Sequence, residues 1–316
     1  MSYRSSVNKS YENKESPKGY YYVNRVEPTN GTKEILNHSE KYANPNLISG
    51  VLIGKMQALK PLCFTQSLLA IVNSKPTYLL HREAGKIVLS GSQLKGAIKT
   101  YMQALSMSYD DEERIDKNKL DLVNSITGYM GYTSRIMFKD IIIDEKDVET
   151  EIIVGKLQWS QADKLTRENK IRLYSHKKHE ELDRKVNFEV LPPGSAFTFE
   201  ILLNGLKNEE AGLLFLAMGF SPKDRFALKI GRGKNLDMGS VKFIPERLLT
   251  PKHSFDVSPN IIKDKDLVKL IFKSVNKYKS QMHKKNLENL QKIIKDSEGV
   301  FQIWYRKKKL YKMLKK

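Results

Sequence analysis

Apolar residues recur at helical spacing in two segments of the chain. The first segment has apolar residues at Leu94, Ala97, Ile98, Tyr101, Met102 and Leu105. This alternation of three and four residues places one apolar stripe along a helix, and Ser90 or Ser92 supplies an oxygen to cap its start. The second segment, residues 208–219, has acids in its first turn and Gly219 where a helix would end. The pattern predicts two amphipathic helices.

Shorter apolar runs with strand character lie on either side of these helices. Residues 50–64 alternate and are rich in aliphatic residues, with Pro61 removing a ladder donor near the end. Residues 135–143 and 195–203 read as further strands, the latter after the turn sequence PPG, and two short strands flank a glycine-rich stretch at 229–243. The order strand, helix, strand, long excursion, strand, helix, strand predicts an α+β fold of the ferredoxin-like kind.

The pattern also divides the chain into three parts. Residues 1–46 are polar with almost no aliphatic periodicity, which predicts a flexible arm. Residues 47–250 form the predicted core, interrupted by a long basic excursion at about 144–190. Residues 251–316 are a predicted helical extension, with 17 Lys and Arg against five acids from position 263 onward. Its apolar residues at helical spacing are Leu267, Leu270, Ile271, Val275 and Tyr278, followed by Leu287, Leu290, Ile293 and Ile294.

Charge and composition limit the classes of partner. The chain has 55 Lys and Arg against 36 acids, a formal charge of +19, so its surface concentrates polyanions such as RNA, DNA or anionic membrane. The apolar run at 211–220 is too short to span a bilayer, and the polar N-terminus lacks the apolar centre of a secretory signal, so we expect a cytoplasmic protein that inserts in no membrane. Cys63 is the only cysteine, which excludes an intrachain disulfide and a thiolate zinc site. We expect it in the core, and no metal or cofactor is predicted.

The stretch KIGRGKNLDMGSVKF at 229–243 has the glycines and cations of a phosphate-binding loop. It is not a Walker loop, because neither Ser nor Thr follows Lys234 and the glycine spacing differs. A dinucleotide fingerprint would need a helix directly after the glycines, whereas a strand-like segment follows here. Two interpretations remain: a glycine-rich connection through which Arg232 and Lys234 contact a polyanion, or a plain hairpin.

Two further features suit an anionic ligand, each with a simpler alternative. The sequence GSQLKG opens the first predicted helix with Lys95 and Lys99 in its early turns, which indicates either an anion site or ordinary capping. The closing WYRKKKLYKMLKK mixes aromatic residues with cations, as in surfaces that stack on bases, although a solvated lysine face gives the same pattern.

Four motifs taken together resemble the RAMP superfamily of CRISPR-associated proteins. They are GSQLKG, RIMFKD, VLPPGSAFTFEI and IGRGKNLDMGSVKF, in this order over about residues 50–245. Two further segments, at 19–28 and 170–179, look like elements of type III members of that superfamily. The sequence departs from the family pattern at Ser90, where proline is usual, and at Asp237, where glycine is commoner.

The resemblance implies a guide-RNA-binding backbone subunit of a type III or type III-derived effector. Copies of such a subunit line up along the guide with other effector subunits and hold the target RNA, and a projecting thumb, here the excursion at 144–190, kinks the guide. The residues expected to bind RNA are Ser90, Gly91, Ser92, Lys95, Lys99, Arg135, Lys170, Arg172, His176, Lys177, Lys229, Gly231, Arg232, Gly233, Lys234 and Asn235. Asn73 aligns with an aspartate that supports target cleavage in the family, and an amide lacks its chemistry, so no catalytic residue is predicted.

Two alternatives stay open. His81 lies in the same region and can act as a general base near neutral pH, which would fit an endoribonuclease that processes precursor guide RNA. A general RNA-binding assembly protein outside CRISPR would show the same cations. His176 and His179 have no partner ligands nearby in sequence, which favours RNA contact over metal binding.

Overall fold

A computed structural model describes residues 19–28, 44, 46–65, 69–109, 120–156, 169–177, 185–251 and 258–314. Its strands are β1 (Tyr20–Asn24), β2 (Ile48–Ala58), β3 (Leu69–Val72), β4 (Lys75–Tyr78), β5 (Arg82–Glu83), β6 (Lys86–Leu89), β7 (Ile136–Phe138), β8 (Ile141–Asp144), β9 (Glu151–Lys156), β10 (Lys170–Tyr174), β11 (Lys185–Val190), β12 (Ala196–Leu206), β13 (Leu228–Lys229), β14 (Ser240–Thr250) and β15 (Asn260–Lys263). Its helices are α1 (Gly91–Leu105), α2 (Leu122–Thr127), α3 (Asn208–Ala217), α4 (Asp264–Lys279) and α5 (Lys284–Leu314). The predicted α+β class is confirmed.

The largest sheet is antiparallel, with strand order β13-β14-β2-β12-β7 and with β15 paired to the outer part of β14. Alternate residues of its central strands, among them Leu52, Met56 and Phe199, are buried in one cluster with Leu94 of α1 and Leu213 of α3. Both helices therefore pack on one face of this main sheet. The opposite face, here called the open face, exposes residues such as Met137 and Leu202 among those that the structure describes.

The two predicted amphipathic helices are present close to their expected bounds. Ser90 caps α1 by accepting a hydrogen bond from the backbone N–H of Ser92, and Gly219 follows α3 with φ of +69°. The strand predicted at 135–143 is instead two strands in different sheets, because the chain turns at residues 139–140. Asp140 in that turn accepts a hydrogen bond from the N–H of Gly91 at 2.7 Å and so fixes the start of α1.

The predicted flexible arm is wrong for residues 19–28. Strand β1 pairs antiparallel with β10 in a two-stranded ribbon, and Tyr20 and Val23 are buried. In β1, tyrosine side chains supply the apolar surface that aliphatic residues supply in other strands. The prediction of a flexible arm relied on aliphatic residues and therefore missed this strand. Residues 1–18 and 29–43 of the predicted arm lie outside the described residues.

The excursion at 144–190 is ordered wherever it is described. Strands β9 and β11 complete a four-stranded sheet, order β3-β4-β11-β9, whereas β10 leaves this sheet and joins the ribbon with β1. Ile171 and Leu173 of β10 are buried in the main core. Residues 170–177 therefore belong to the body of the protein, and 157–168 and 178–184 lie outside the described residues.

The C-terminal region has the two expected helices, and both pack on the core. Leu267, Ile271 and Val275 of α4 and Leu290 and Ile293 of α5 share the cluster formed by the main sheet and α1. Side chains beyond Phe301, including the closing basic and aromatic run, lie outside the described residues. Among the helices described, none has both the length and the apolar character needed to cross a bilayer.

Candidate nucleic-acid interface

The glycine-rich loop, residues 231–239, connects β13 to β14 and lies between the ribbon and the four-stranded sheet. Gly231 has φ of +78°, and a Cβ there would lie 2.4 Å from the carbonyl oxygen of Cys63. The next residue, Arg232, donates its backbone N–H to that same oxygen at 2.8 Å. Glycine is therefore needed for the loop to lie against residue 63.

Arg232 stacks on an aromatic pair from the four-stranded sheet. Its guanidinium carbon lies 3.8 Å from the centroid of the Tyr78 ring, and Nη2 donates a hydrogen bond to the Tyr78 hydroxyl at 2.6 Å. The Tyr78 ring stacks in turn on Phe188 at 5.4 Å. This stack holds the guanidinium in one place with its charge retained, which suits a planar contact with a phosphate or a base.

Lys234 extends to the other side of the loop, toward the ribbon. Its ammonium lies 4.7 Å from the centroid of Tyr174, and the Arg172 guanidinium lies 5.4 Å from the same ring and from Tyr20. Partial burial, and then the charge of Arg172, lower the pKa of Lys234 from its ordinary value. Lys234 and Arg172 are both positively charged, so an anion between them would be attracted by both and would relieve their mutual repulsion.

Two buried polar atoms of the loop have no hydrogen-bond partner among the described residues. They are Nε of Arg232 and Oδ1 of Asp237. Buried donors and acceptors in proteins are nearly always paired, with protein groups or with water or ligand. The unpaired donor on Arg232 lies in the cluster of cations and is suited to an anionic acceptor.

Asp237, the family departure in this loop, has a structural role. Its Oδ2 accepts a hydrogen bond from Lys60 Nζ at 2.8 Å, and its charge raises the pKa of the nearby Lys229. Burial has the larger and opposite effect, so the pKa of Lys229 falls to about 8. The carboxylate therefore offsets part of the positive charge beneath the loop, and its backbone φ of +62° is one that aspartate tolerates better than most residues.

Three of the predicted RNA contacts are buried and have other partners. Arg135 is 2% exposed and forms an ion pair with Glu210, with Nη1 to Oε2 at 2.8 Å, besides donating to the carbonyls of Ser125 and Gly205. The expectation that Arg135 contacts phosphate is therefore wrong. It fastens α2, the residues before α3 and the start of β7 to one another.

Lys229 and His176 are the other two. The ammonium of Lys229 donates to the carbonyl of Met238 at 2.8 Å inside the loop, and the side chain is buried. The His176 ring lies between the Ser240 hydroxyl, 2.9 Å from Nδ1, and the carbonyl of Ala227, 3.0 Å from Nε2. Since a carbonyl only accepts, Nε2 carries the proton, and burial followed by the Lys229 charge holds the ring's pKa well below 6.5. Both residues support the loop from beneath.

The remaining predicted contacts lie in three places: the loop, the ribbon and the start of α1. Gly233 and Asn235 belong to the loop. The loop passes close to Gly19, just before β1, since a Cβ on Gly19 would lie 2.7 Å from the carbonyl oxygen of Asn235. Lys170 and Lys177 are exposed at the two ends of the β10 segment, on the ribbon side. Lys170 and Arg172 alternate with Tyr174 along β10, so they share the face of the ribbon that Lys234 contacts.

The start of α1 is built by close packing and helix capping. Gly91 packs against the carbonyl of Phe138, with 2.0 Å to a Cβ built there, while Ser90 and Ser92 cap the helix. The contact between α1 and the loop region is made by Tyr101, whose hydroxyl accepts the N–H of Lys229 at 3.0 Å. Tyr101 is ten residues, or about 15 Å, along the helix from Gly91.

Lys95 and Lys99 lie on the first turns of α1 and influence each other. Burial, and then the neighbouring charge of Lys99, lower the pKa of Lys95. Gly96, next to Lys95, and Ser92, one turn before it, are both exposed. The start of the helix therefore presents its own small basic surface.

The two catalytic alternatives lie at different sites. Asn73, with φ of +49°, is the first residue of the two-residue turn between β3 and β4, a conformation that asparagine tolerates. His81 is 9% exposed, and its Nε2 lies 2.8 Å from Oε1 of Glu83.

Cys63 is fully buried, as expected, and burial raises its pKa to about 12, so it remains a thiol.

The aromatic part of the interface was missing from the sequence prediction. Tyr20, Tyr78 and Tyr174 were not singled out, although they contact the predicted cations. Lys60, which pairs with Asp237 in the loop, was not singled out either. The tyrosine run at 20–22 was an available signal, since aromatics close to arginines suit stacking on nucleic acid. Tyr78 offered no local signal, because its partner Arg232 is 154 residues away.

A mixed α+β fold with cations held over tyrosine rings beside a glycine-rich loop defines a protein suited to bind a polyanion. Comparison with models of protein families matches residues 77–242 to the RAMP superfamily. The match spans more than half of the chain and includes the loop, and the chain belongs to the RAMP superfamily. No curated protein matches the sequence. Membership suggests a CRISPR-associated protein that binds or processes RNA.

Proposed function

We propose that this protein is a guide-RNA-binding backbone subunit of a type III or type III-derived CRISPR effector, without cleavage activity of its own. The observation that carries the proposal is the stacking of Arg232 on Tyr78 and the placing of Lys234 and Arg172 around Tyr174. This arrangement gives one loop both charge for phosphates and flat surfaces for bases.

The topology supports a ferredoxin-like core. In chain order β2, α1, β7, β12, α3 and β14 alternate as strand, helix, strand, strand, helix, strand. In space the four strands lie in the order β14-β2-β12-β7, with both helices on one face. This is the βαββαβ arrangement of that fold class, and the loop leads into its last strand.

The proposed thumb is narrower than the excursion that the sequence suggested. Strands β9 and β11 supply its base, as part of the sheet that bears Tyr78 and Phe188. Residues 170–177 belong to the ribbon instead, so the cations Lys170, Arg172 and Lys177 would hold RNA from the body of the protein. Of these, Arg172 lies beside the loop, because it and Lys234 contact the same Tyr174 ring.

The direct test is to purify the protein from its own cells with its bound RNA and sequence that RNA. The proposal predicts short RNAs that share a repeat-derived end and differ in the rest. A heterogeneous RNA population without a common repeat-derived tag would contradict it and favour a general RNA-binding role.

RNA processing is the second candidate, because His81 and Glu83 form a histidine–carboxylate pair such as proton transfer uses. Incubating the protein with repeat RNA separates the two functions. The backbone proposal predicts no cleavage by wild type, whereas specific cleavage that disappears in His81→Ala but survives in His283→Ala would establish processing.

A further inference from the structure

The open face of the main sheet carries an exposed apolar row across five strands. Its members, paired in register from β15 through β14, β2 and β12 to β7, are Ile261, Leu249, Val51, Leu202 and Met137. Residues paired in this way point to one face, so the row spans about 19 Å at the usual strand spacing. Ile261, Leu202 and Met137 are 58%, 40% and 62% exposed. A continuous apolar row of this length is typical of a surface that another molecule covers.

Positive charge borders this row. The neighbouring row on the same face includes Lys263 and Arg247, which are paired in register, exposed and without an ion-pair partner among the described residues. The acids of the face are already paired, Glu200 with Lys139 at 2.5 Å and Glu246 with Lys55 at 3.7 Å. The surface that covers this face should therefore be apolar with excess negative charge.

The described part of the chain itself carries a surface of that kind. In a protein with a charge of +19, residues 144–151 hold five acids and one lysine. Asp147, Glu149 and Glu151 are exposed and have no ion-pair partner among the described residues. Beyond them on β9, Ile152 and Val154 are 52% and 60% exposed. We call residues 144–154 the acidic strip.

Glu145, one acid of the strip, lies on the side of the four-stranded sheet that exposes Ile152 and Val154. Arg82 pairs with Glu145 and also with Glu189, at 2.8 Å between Nη1 and Oε2. Glu189 lies opposite Ile152 in the β11–β9 ladder, so it shares a face with Ile152 and Val154. The bridge through Arg82 therefore brings Glu145 beside the exposed aliphatic side chains.

We infer that the open sheet face of one copy of this chain binds the acidic strip of the next copy. The two surfaces are different and complementary, and contacts of that type join subunits head to tail in a line rather than in a closed pair. The inference rests on the proposed function for its purpose, because a line of copies is what a guide RNA would require. Its chemistry does not depend on RNA.

Charge reversal tests this contact directly. Variant one carries Arg247→Glu and Lys263→Glu on the sheet face, and variant two carries Asp147→Lys and Glu149→Lys on the strip. Alone, each places like charges in every contact, so we expect at least a tenfold loss in association, measured by sedimentation with and without a single-stranded RNA that holds several copies. Mixed in equal amounts, the variants restore opposite charges and should again form chains longer than two.

The mixture also guards against misfolding, since unfolded chains cannot rescue one another. A control with Lys273→Glu and Lys277→Glu on the exposed side of α4 changes net charge by the same amount as variant one and should associate like wild type. Wild-type association by either variant alone would overturn the inference, as would a mixture that stays monomeric or stops at pairs. Binding of wild type to a short RNA that holds one copy is measured separately. Failure of wild type to bind this RNA would count against the proposed function and not against this contact.

Discussion

The carboxylate of Asp296 accepts a hydrogen bond from the backbone N–H of His176 at 3.0 Å, which ties helix α5 to the end of the ribbon. Its other oxygen accepts from the Ser175 hydroxyl at 2.6 Å. On the same helix, Asn289 donates to the carbonyl of Asn24 at 2.8 Å, and Lys292 donates to that of Tyr22 at 3.0 Å. Helix α5 therefore holds both strands of the ribbon that carries Arg172 and Tyr174.

Asp296→Ala should loosen this attachment. Each hydrogen bond to a charged acceptor contributes about 1.5–3 kcal/mol, so losing two costs about 3 kcal/mol or more of unfolding free energy. We expect faster amide exchange in residues 20–24 and 170–176, and weaker RNA binding, because the ribbon no longer holds its cations beside Lys234. Glu298→Ala on the exposed side of the same helix changes charge equally and should leave exchange unaltered. Unchanged ribbon exchange in Asp296→Ala would contradict this role.

Arg135→Met should destabilise the fold strongly. The change leaves Glu210 buried without its partner, and breaking a buried ion pair in this way costs about 3–5 kcal/mol. Lys139→Met breaks the pair with Glu200, which is largely exposed, and should cost less than about 1 kcal/mol. Urea unfolding of the three proteins gives the comparison, and equal losses in the two variants would exclude a structural role specific to Arg135.

His176 should contribute to unfolding in mild acid. Burial lowers the pKa of its ring in the folded state, so below the ordinary value of 6.5 the unfolded chain binds a proton that the folded chain does not. The free energy of unfolding therefore falls as pH falls below 6.5, by up to about 1.4 kcal/mol per pH unit from this group. His176→Gln should show a shallower fall between pH 6.5 and 5, and slopes identical to wild type would contradict the buried neutral ring.

Lys229 should have its effect in the alkaline range. Its pKa of about 8 in the folded state lies below the ordinary 10.5, so above pH 8 the unfolded chain binds the extra proton. Stability contributed by this group therefore rises from pH 8 toward 10.5. Between pH 8 and 9, Lys229→Met should lose this rise relative to wild type in denaturant titrations. A parallel pH dependence in both proteins would show that Lys229 titrates normally.

The sequence was most informative where local pattern and local structure coincide. The stripe from Leu94 to Leu105 predicted α1, and the glycines at 231 and 233 predicted a close-lying loop, because spacing and backbone freedom are local properties. Arg135 was misread because its partner Glu210 is 75 residues away and the matching motif says nothing about burial. The ribbon was missed because tyrosines replace aliphatic residues in β1.

RNA binding by the loop is the central claim, and its salt dependence is the most direct test. Binding of a short single-stranded RNA is titrated over a range of salt concentrations for wild type, for Arg232→Gln with Lys234→Gln, and for the control Lys273→Gln with Lys277→Gln on α4. Each lost phosphate contact lowers the slope of log K against log salt by about 0.7 for single strands. The account predicts a slope lower by about 1.4 and at least tenfold weaker binding for the loop variant alone. Equal slopes and affinities in the loop variant and the control would contradict it.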